Sequence, residues 1–120
     1  MKGTFEELGM FQEAKGLTKE IYLLTNEVGF DKDYGLKDQI RRASISIISN
    51  IAEGYERNSN KEFIKFLGYS KGSCGEVRAQ LIIAKEIGYF DDDTFEILYD
   101  KTKHISAMIS NFIKALKNHE

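Results

Sequence analysis

The sequence predicts an all-α protein, an antiparallel up-down-up-down four-helix bundle, and three observations carry that expectation. None of the 120 residues is proline, although proline punctuates most mixed and all-β folds. Apolar residues recur at alternating steps of three and four along four segments, the spacing of helices with one buried face. No segment sustains the period-two alternation of a half-buried strand. The expected helices cover about residues 4–28, 35–57, 60–87 and 93–118. Connections of a few residues make sequence neighbours antiparallel. At 13.7 kDa the chain suits one domain over residues 1–120.

In the first segment Met10, Ala14, Leu17, Ile21, Leu24 and Val28 form the seam. Thr4 with Glu7 reads as a capping box, each side chain meeting an orphan amide of the first turn, and Gly29 is placed to end the helix. The second segment turns Leu36, Ile40, Ala43, Ile47 and Ile51 inward, and Ile45 and Ile48 add apolar surface beyond one stripe. Ser59 with Glu62 opens the third, whose seam runs Phe63, Leu67, Ser70, Cys74, Val77, Leu81 and Ala84 before Gly88 closes it. Asp91, Asp92 and Asp93 supply negative charge to the start of the fourth, with Asp93 and Glu96 as the capping pair. Its seam is Phe95, Leu98, Thr102, Ile105, Ile109, Phe112 and Leu116.

Gly68, Gly72 and Gly75, continued by Ala79, leave one side of the third helix nearly bare. A helical glycine costs ~1 kcal/mol relative to Ala, so three of them require compensation. Close approach of a neighbouring helix, such as the Ser- and Ala-rich second one, supplies it within the chain; a second subunit supplies it between chains. Phe11, Tyr22, Ile48, Phe66, Tyr69, Ile83 and Met108 lie outside the four seams and favour an oligomer.

Composition excludes several classes. Hydrophobic residues at 42% and charged residues at 30% are globular values, not those of a disordered chain. The 17 basic side chains against 19 acidic ones, net −2, exclude a strongly basic nucleic-acid coat. The charge is nevertheless divided: residues 1–36 carry 4 basic and 7 acidic side chains, 37–86 carry 9 and 6, and 87–120 carry 4 and 6. A basic middle between acidic ends can steer an anionic partner or join subunits. One cysteine and two histidines make neither a disulfide nor a Cys/His zinc site. No apolar run is long enough for a membrane span and no leader opens the chain, so a cytoplasmic location is expected.

The residues Tyr34-Gly35-Leu36, Gln39-Ile40-Arg41-Arg42-Ala43 and Asn50-Ile51-Ala52-Glu53-Gly54-Tyr55-Glu56-Arg57 resemble a specific family. It is the bacterial four-helix-bundle family named for reading frames in intervening sequences of 23S rRNA genes. Ile21-Tyr22 with Thr25, Glu62-Phe63 with Phe66-Leu67, Gly72-Ser73 with Glu76, Gln80-Leu81 with Ala84, and Gly88-Tyr89 extend the resemblance over nearly the whole chain. The family usually carries Trp at Phe11 and prolines near Phe30 and at Ile48, and these departures bear on a turn and on the second helix. The resemblance implies a homo-oligomer, a pentamer. It also implies kinship with the pentameric accessory proteins of diversity-generating retroelements, which engage a reverse transcriptase and nucleic acid through basic surfaces.

Candidate sites follow from the residues. Asn50, a poor helix former amid apolar neighbours, reads as a buried polar anchor satisfied by another helix or subunit. Glu53 precedes Arg57 by four residues, as Asp38 precedes Arg42, the favourable order for a helical ion pair. Gly54 marks fraying or close packing. Cys74 and His104 form a nucleophile pair only if they meet across the bundle with a third group behind the imidazole, and a buried cysteine is the plainer reading. The Asp91–Asp93 run caps a helix rather than holding a cation, and Lys71-Gly72-Ser73 lacks the upstream glycine of a phosphate loop.

Lys71, Arg78 and Lys85, seven apart, recur along one side of the third helix, and Arg41 is a candidate to extend that face towards a nucleic-acid or protein partner. The alternative is a solvated face whose charges pair with the acidic terminal helices. The expected function is a non-enzymatic, homo-oligomeric scaffold for a macromolecular partner, RNA, DNA or protein, without cofactor, metal or small-molecule substrate. A purely structural protein–protein module is the alternative.

Overall fold

The computed structural model describes residues 3–119. Four helices, α1 (Gly9–Leu24), α2 (Tyr34–Glu56), α3 (Asn60–Ile87) and α4 (Asp92–Lys117), pack as an antiparallel bundle of 47 × 20 × 20 Å. Each helix lies against the next, and α4 returns to α1. The described residues contain no strand.

The expected seams of α2, α3 and α4 supply most of the core. Ile40, Ile47 and Ile51 meet Leu67, Cys74, Val77 and Leu81, with Ile105 and Ile109 opposite. Small buried residues bring α2 and α3 together: the Ser70 hydroxyl donates to the Ile47 carbonyl and Ser73 Oγ donates to Ser46 Oγ at 2.9 Å. Buried hydroxyls are tolerable there because each has an acceptor.

The first helix departs from its expected span of 4–28. Thr4 gives no side-chain cap; its carbonyl accepts from the Glu7 amide at 3.1 Å, forming a short 3₁₀ turn over Phe5–Glu7. That turn tucks Phe5 against Phe11, ring centroids 5.0 Å apart, while the Tyr55 hydroxyl donates to the Gly3 carbonyl at 2.8 Å. Aromatic packing from α2 thus displaces the local capping box. At the other end α1 stops at Leu24, where the Thr25 hydroxyl donates back to the Ile21 carbonyl at 2.8 Å and Thr25 is itself buried.

Val28, expected in the seam, is instead 96% exposed. Gly29 does not cap α1; at φ +99° it reverses the chain so that Phe30, fully buried, closes the end of the bundle. Phe30 stacks on Tyr89 at 4.8 Å, and the Tyr89 hydroxyl donates to Asp33 Oδ2 at 2.7 Å. Asp33 also accepts from the Leu36 amide as the α2 N-cap. The Tyr89 hydroxyl, and after it that amide, hold the Asp33 carboxyl below its ordinary value.

The remaining caps follow the sequence more closely. Ser59 Oγ accepts from the Glu62 amide at 3.3 Å, and Gly88 closes α3 at φ +96°. The α4 cap is Asp91, accepting from the Thr94 amide at 2.8 Å, and not Asp93. Of the acidic triplet, only Asp91 sits in extended backbone at the position a cap requires.

Candidate functional site

The side of α3 that carries Lys71 and Arg78 faces α4 across an open groove of about 340 Å³. Tyr99, Lys103, Ser106, Ala107 and Ser110 line the opposite wall. The α4 residues Lys103, Ser106 and Ser110 follow one another at steps of three and four, so one helix face presents an ammonium and two hydroxyls. The groove lining holds no carboxylate among the described residues. Among the described residues, Lys71, Arg78 and Lys103 join no ion pair, whereas Arg42, Arg57, Lys85 and Lys101 each do. Nη1 of Arg78 is buried and has no hydrogen-bond acceptor among the described residues. The guanidinium lies over Gly75, its Nη2 3.8 Å from where a Cβ there would sit.

Two expected members of this face lie elsewhere. Lys85 Nζ is 3.5 Å from Asp92 Oδ1 and 4.5 Å above the Phe95 ring, at the α3–α4 turn. Lys85 lies two turns beyond Arg78 along α3, where Asp92 at the start of α4 pairs with it. Arg41 lies on the α1 side of α2: Nε donates to Thr25 Oγ1 at 2.8 Å, Nη2 donates to the Tyr22 carbonyl and to Asn26 Oδ1, and the guanidinium covers the Tyr22 ring at 4.2 Å. Its role is to satisfy the end of α1. The sequence reading missed Lys103, Ser106 and Ser110, although their polar stripe beside the fourth seam was a usable signal.

The specific Asn50–Arg57 run is structural in its contacts. Asn50 is partly buried and is satisfied by its own helix, not by a neighbouring one: Nδ2 donates to the Ser46 carbonyl at 2.8 Å and to Ser46 Oγ at 3.0 Å. Through Ser46 it joins the Ser73 hydroxyl of α3. Glu53 and Arg57 pair at 3.1 Å, and Arg57 also covers the Phe66 ring at 4.8 Å. Gly54 is buried where α2 packs against α3, and a Cβ there would lie 2.8 Å from Phe66 Cβ.

Of the glycine stripe, Gly75 lies under the Arg78 guanidinium, whereas Gly68 and Gly72 have no neighbour among the described residues. A Cβ at Gly68 or Gly72 would meet nothing within 4 Å, so approach of α2 does not account for them. Ile82 and Ile83, exposed on the same outer side, and Tyr69 and Ile87 beside them extend the uncovered apolar surface of α3.

Cys74 and His104 do not meet. His104 is exposed, with Nε2 3.8 Å from Glu13 Oε1, while Cys74 is fully buried. Burial pushes the Cys74 thiol up to about 11, against the opposing pull of Arg78 and Lys71. The thiol is therefore expected to react with a thiol reagent only when the chain unfolds, measured as labelling rate against urea. Unfolded Cys74 ionises near 9.0 and folded Cys74 near 11, so its contribution is fully present below 9 and lost as pH rises towards 11. Urea midpoints across that window are expected to fall less in Cys74→Ala than in the parent protein.

No group of three or more His, Cys, Asp or Glu gathers to hold a metal ion among the described residues. Among them, too, no helix is long and apolar enough to cross a membrane.

The family profile described as 23S rRNA-intervening sequence protein matches residues 6–111. A crystal structure from Bacteroides thetaiotaomicron, described as a protein with unknown function from the S23 ribosomal protein family, superposes with a TM-score of 0.81 at 22% identity. The match covers 88% of this chain and 95% of that one. It shows a shared fold. No curated protein sequence matches this chain.

Proposed function

This chain belongs to the 23S rRNA-intervening sequence protein family, and from that premise we propose that it is a non-enzymatic, homo-oligomeric helical scaffold that carries a macromolecular partner in the cytoplasm. The observation that supports the reading is the outer face of α3, where Gly68 and Gly72 meet nothing and Ile83 is 52% exposed. Helical glycines each lower stability by ~1 kcal/mol relative to Ala, with no return inside this chain. A second copy of the chain offers one: bare backbone admits a partner helix closely, and the adjoining isoleucines then leave water. Five copies closing as a ring is the stoichiometry that the family resemblance implies.

Light scattering across a dilution series is the test. A mass near five times 13.7 kDa is expected. Gly72→Glu and Ile83→Glu, both on surface that is free in the single chain, are expected to reduce the mass while leaving helicity unchanged. A parent protein that stays monomeric at micromolar concentration overturns the reading.

A further inference from the structure

We infer that the groove between α3 and α4 is a phosphate-binding site formed by Lys71, Arg78, Lys103, Ser106 and Ser110. The inference rests on the scaffold reading and deepens it by naming the chemistry of the partner. Three properties of the groove converge on that ligand. Its ionisable lining is cationic apart from the Tyr99 phenol, with two cations from α3 and one from α4. Its two serines add hydroxyl donors one turn apart on the same wall. Arg78 brings a guanidinium with one buried nitrogen that no acceptor among the described residues satisfies.

A buried donor without an acceptor is costly, and a guanidinium is best satisfied by two oxygens of one planar or tetrahedral anion. The complementary ligand is therefore an anion rich in acceptor oxygens. Phosphate fits better than carboxylate, because one tetrahedral group offers oxygens to both walls at once: to Arg78 on α3, and to Lys103 and the hydroxyls on α4. Lys71 and Arg78 are two turns apart, roughly 10 Å along the axis, so one groove can also follow successive phosphates of a chain. The groove is open along the helices, which leaves both a polynucleotide backbone and a free phosphate as sources of the same chemistry.

The experiment uses two probes with the full chain at low salt: a labelled single-stranded oligothymidylate, followed by fluorescence anisotropy, and inorganic phosphate, followed by ³¹P line broadening. Three variants are compared with the parent protein: Lys71→Glu with Lys103→Glu, Arg78→Gln, and Ser106→Asp. The last adds a negative charge to the groove without removing any cation. Each variant is checked by circular dichroism and light scattering. The expected result is binding by the parent protein and a loss of tenfold or more in the lysine pair and in Ser106→Asp, with mass and helicity retained. With three contacts to a single strand, log affinity is expected to fall against log salt with a slope of about −2 per groove.

Oligothymidylate binding that millimolar inorganic phosphate leaves intact identifies the polymer as the source. Equal binding of both probes identifies the free anion. Absence of binding by either probe, or parental affinity in well-folded variants, overturns the site. An oligomeric parent protein that binds neither probe overturns the site alone, whereas a monomeric one overturns the scaffold reading whatever the probes do.

Discussion

Replacing Phe30 with Ala is expected to lower the unfolding free energy by about 3–5 kcal/mol, the range for truncating a buried aromatic ring. Phe30 has no exposed surface, stacks on Tyr89, and closes the end of the bundle where the α1–α2 and α3–α4 connections meet. Removing the ring leaves a cavity beneath Tyr89, and the Tyr89–Asp33 hydrogen bond that helps to hold the α2 cap loses its support. A domain of this size is typically stable by about 5–15 kcal/mol, so the loss is a large share of the total. Urea unfolding followed by circular dichroism is the measurement, with a lower midpoint and an unchanged slope expected. Val28→Ala, two residues away on a 96% exposed side chain, is the control and is expected to change stability by no more than about 0.5 kcal/mol. Equal effects of the two substitutions would refute the assignment of Phe30 as the closing residue.

The second large effect is expected at Gly54. A Cβ there would lie 2.8 Å from Phe66 Cβ, 2.9 Å from Phe63 Cδ1 and 3.4 Å from the Phe63 carbonyl oxygen. The nearest atoms are a side-chain root and a ring held in the core, so little can move aside. Gly54→Ala is expected to destabilise by about 1–3 kcal/mol, and Gly54→Leu by more, through overpacking. Helix propensity works in the other direction, favouring Ala by about 1 kcal/mol. The same exchange at Gly16, where a Cβ meets nothing within 4 Å, is therefore expected to stabilise the chain by about 0.5–1 kcal/mol. One substitution with opposite signs at two helical glycines separates packing from propensity, and thermal melts of both variants read it directly. A gain in stability at Gly54 would show that α2 and α3 are not in contact there.

Much of the bundle was legible in the sequence because helical periodicity is a local signal with many repeats. The seven seam residues of α3 are all buried, and its limits agree with expectation, since Ser59 and Gly88 act within one turn of the helix they bound. The ion pairs Asp38–Arg42 and Glu53–Arg57 formed for the same reason: four residues along a helix place them on one face whatever the rest of the chain does. The groove was legible only in part. Lys71 and Arg78 share it, but Lys103, Ser106 and Ser110 come from a helix whose rotation about its axis the spacing of α3 cannot reveal.

What the sequence by itself determined, then, is four amphipathic helices, their order and most residues of their seams, Val28 being the seam position that the fold left exposed. Those depend on side chains three and four positions apart, and each helix reports them independently. The tertiary structure alone decided the rest. It cut α1 short at both ends, because the Phe5–Phe11 contact, the Tyr55–Gly3 bond and the Arg41–Thr25 bond outweighed a capping box and a terminal glycine. It took Arg41 and Lys85 away from the basic face by giving each a nearer partner, and left Arg78 without one among the described residues. It also showed that Gly54 lies against α3 while Gly68 and Gly72 face outward, a difference that depends on which neighbouring helix comes close. Such contacts join residues far apart in the chain, and their distances are set only when the helices dock.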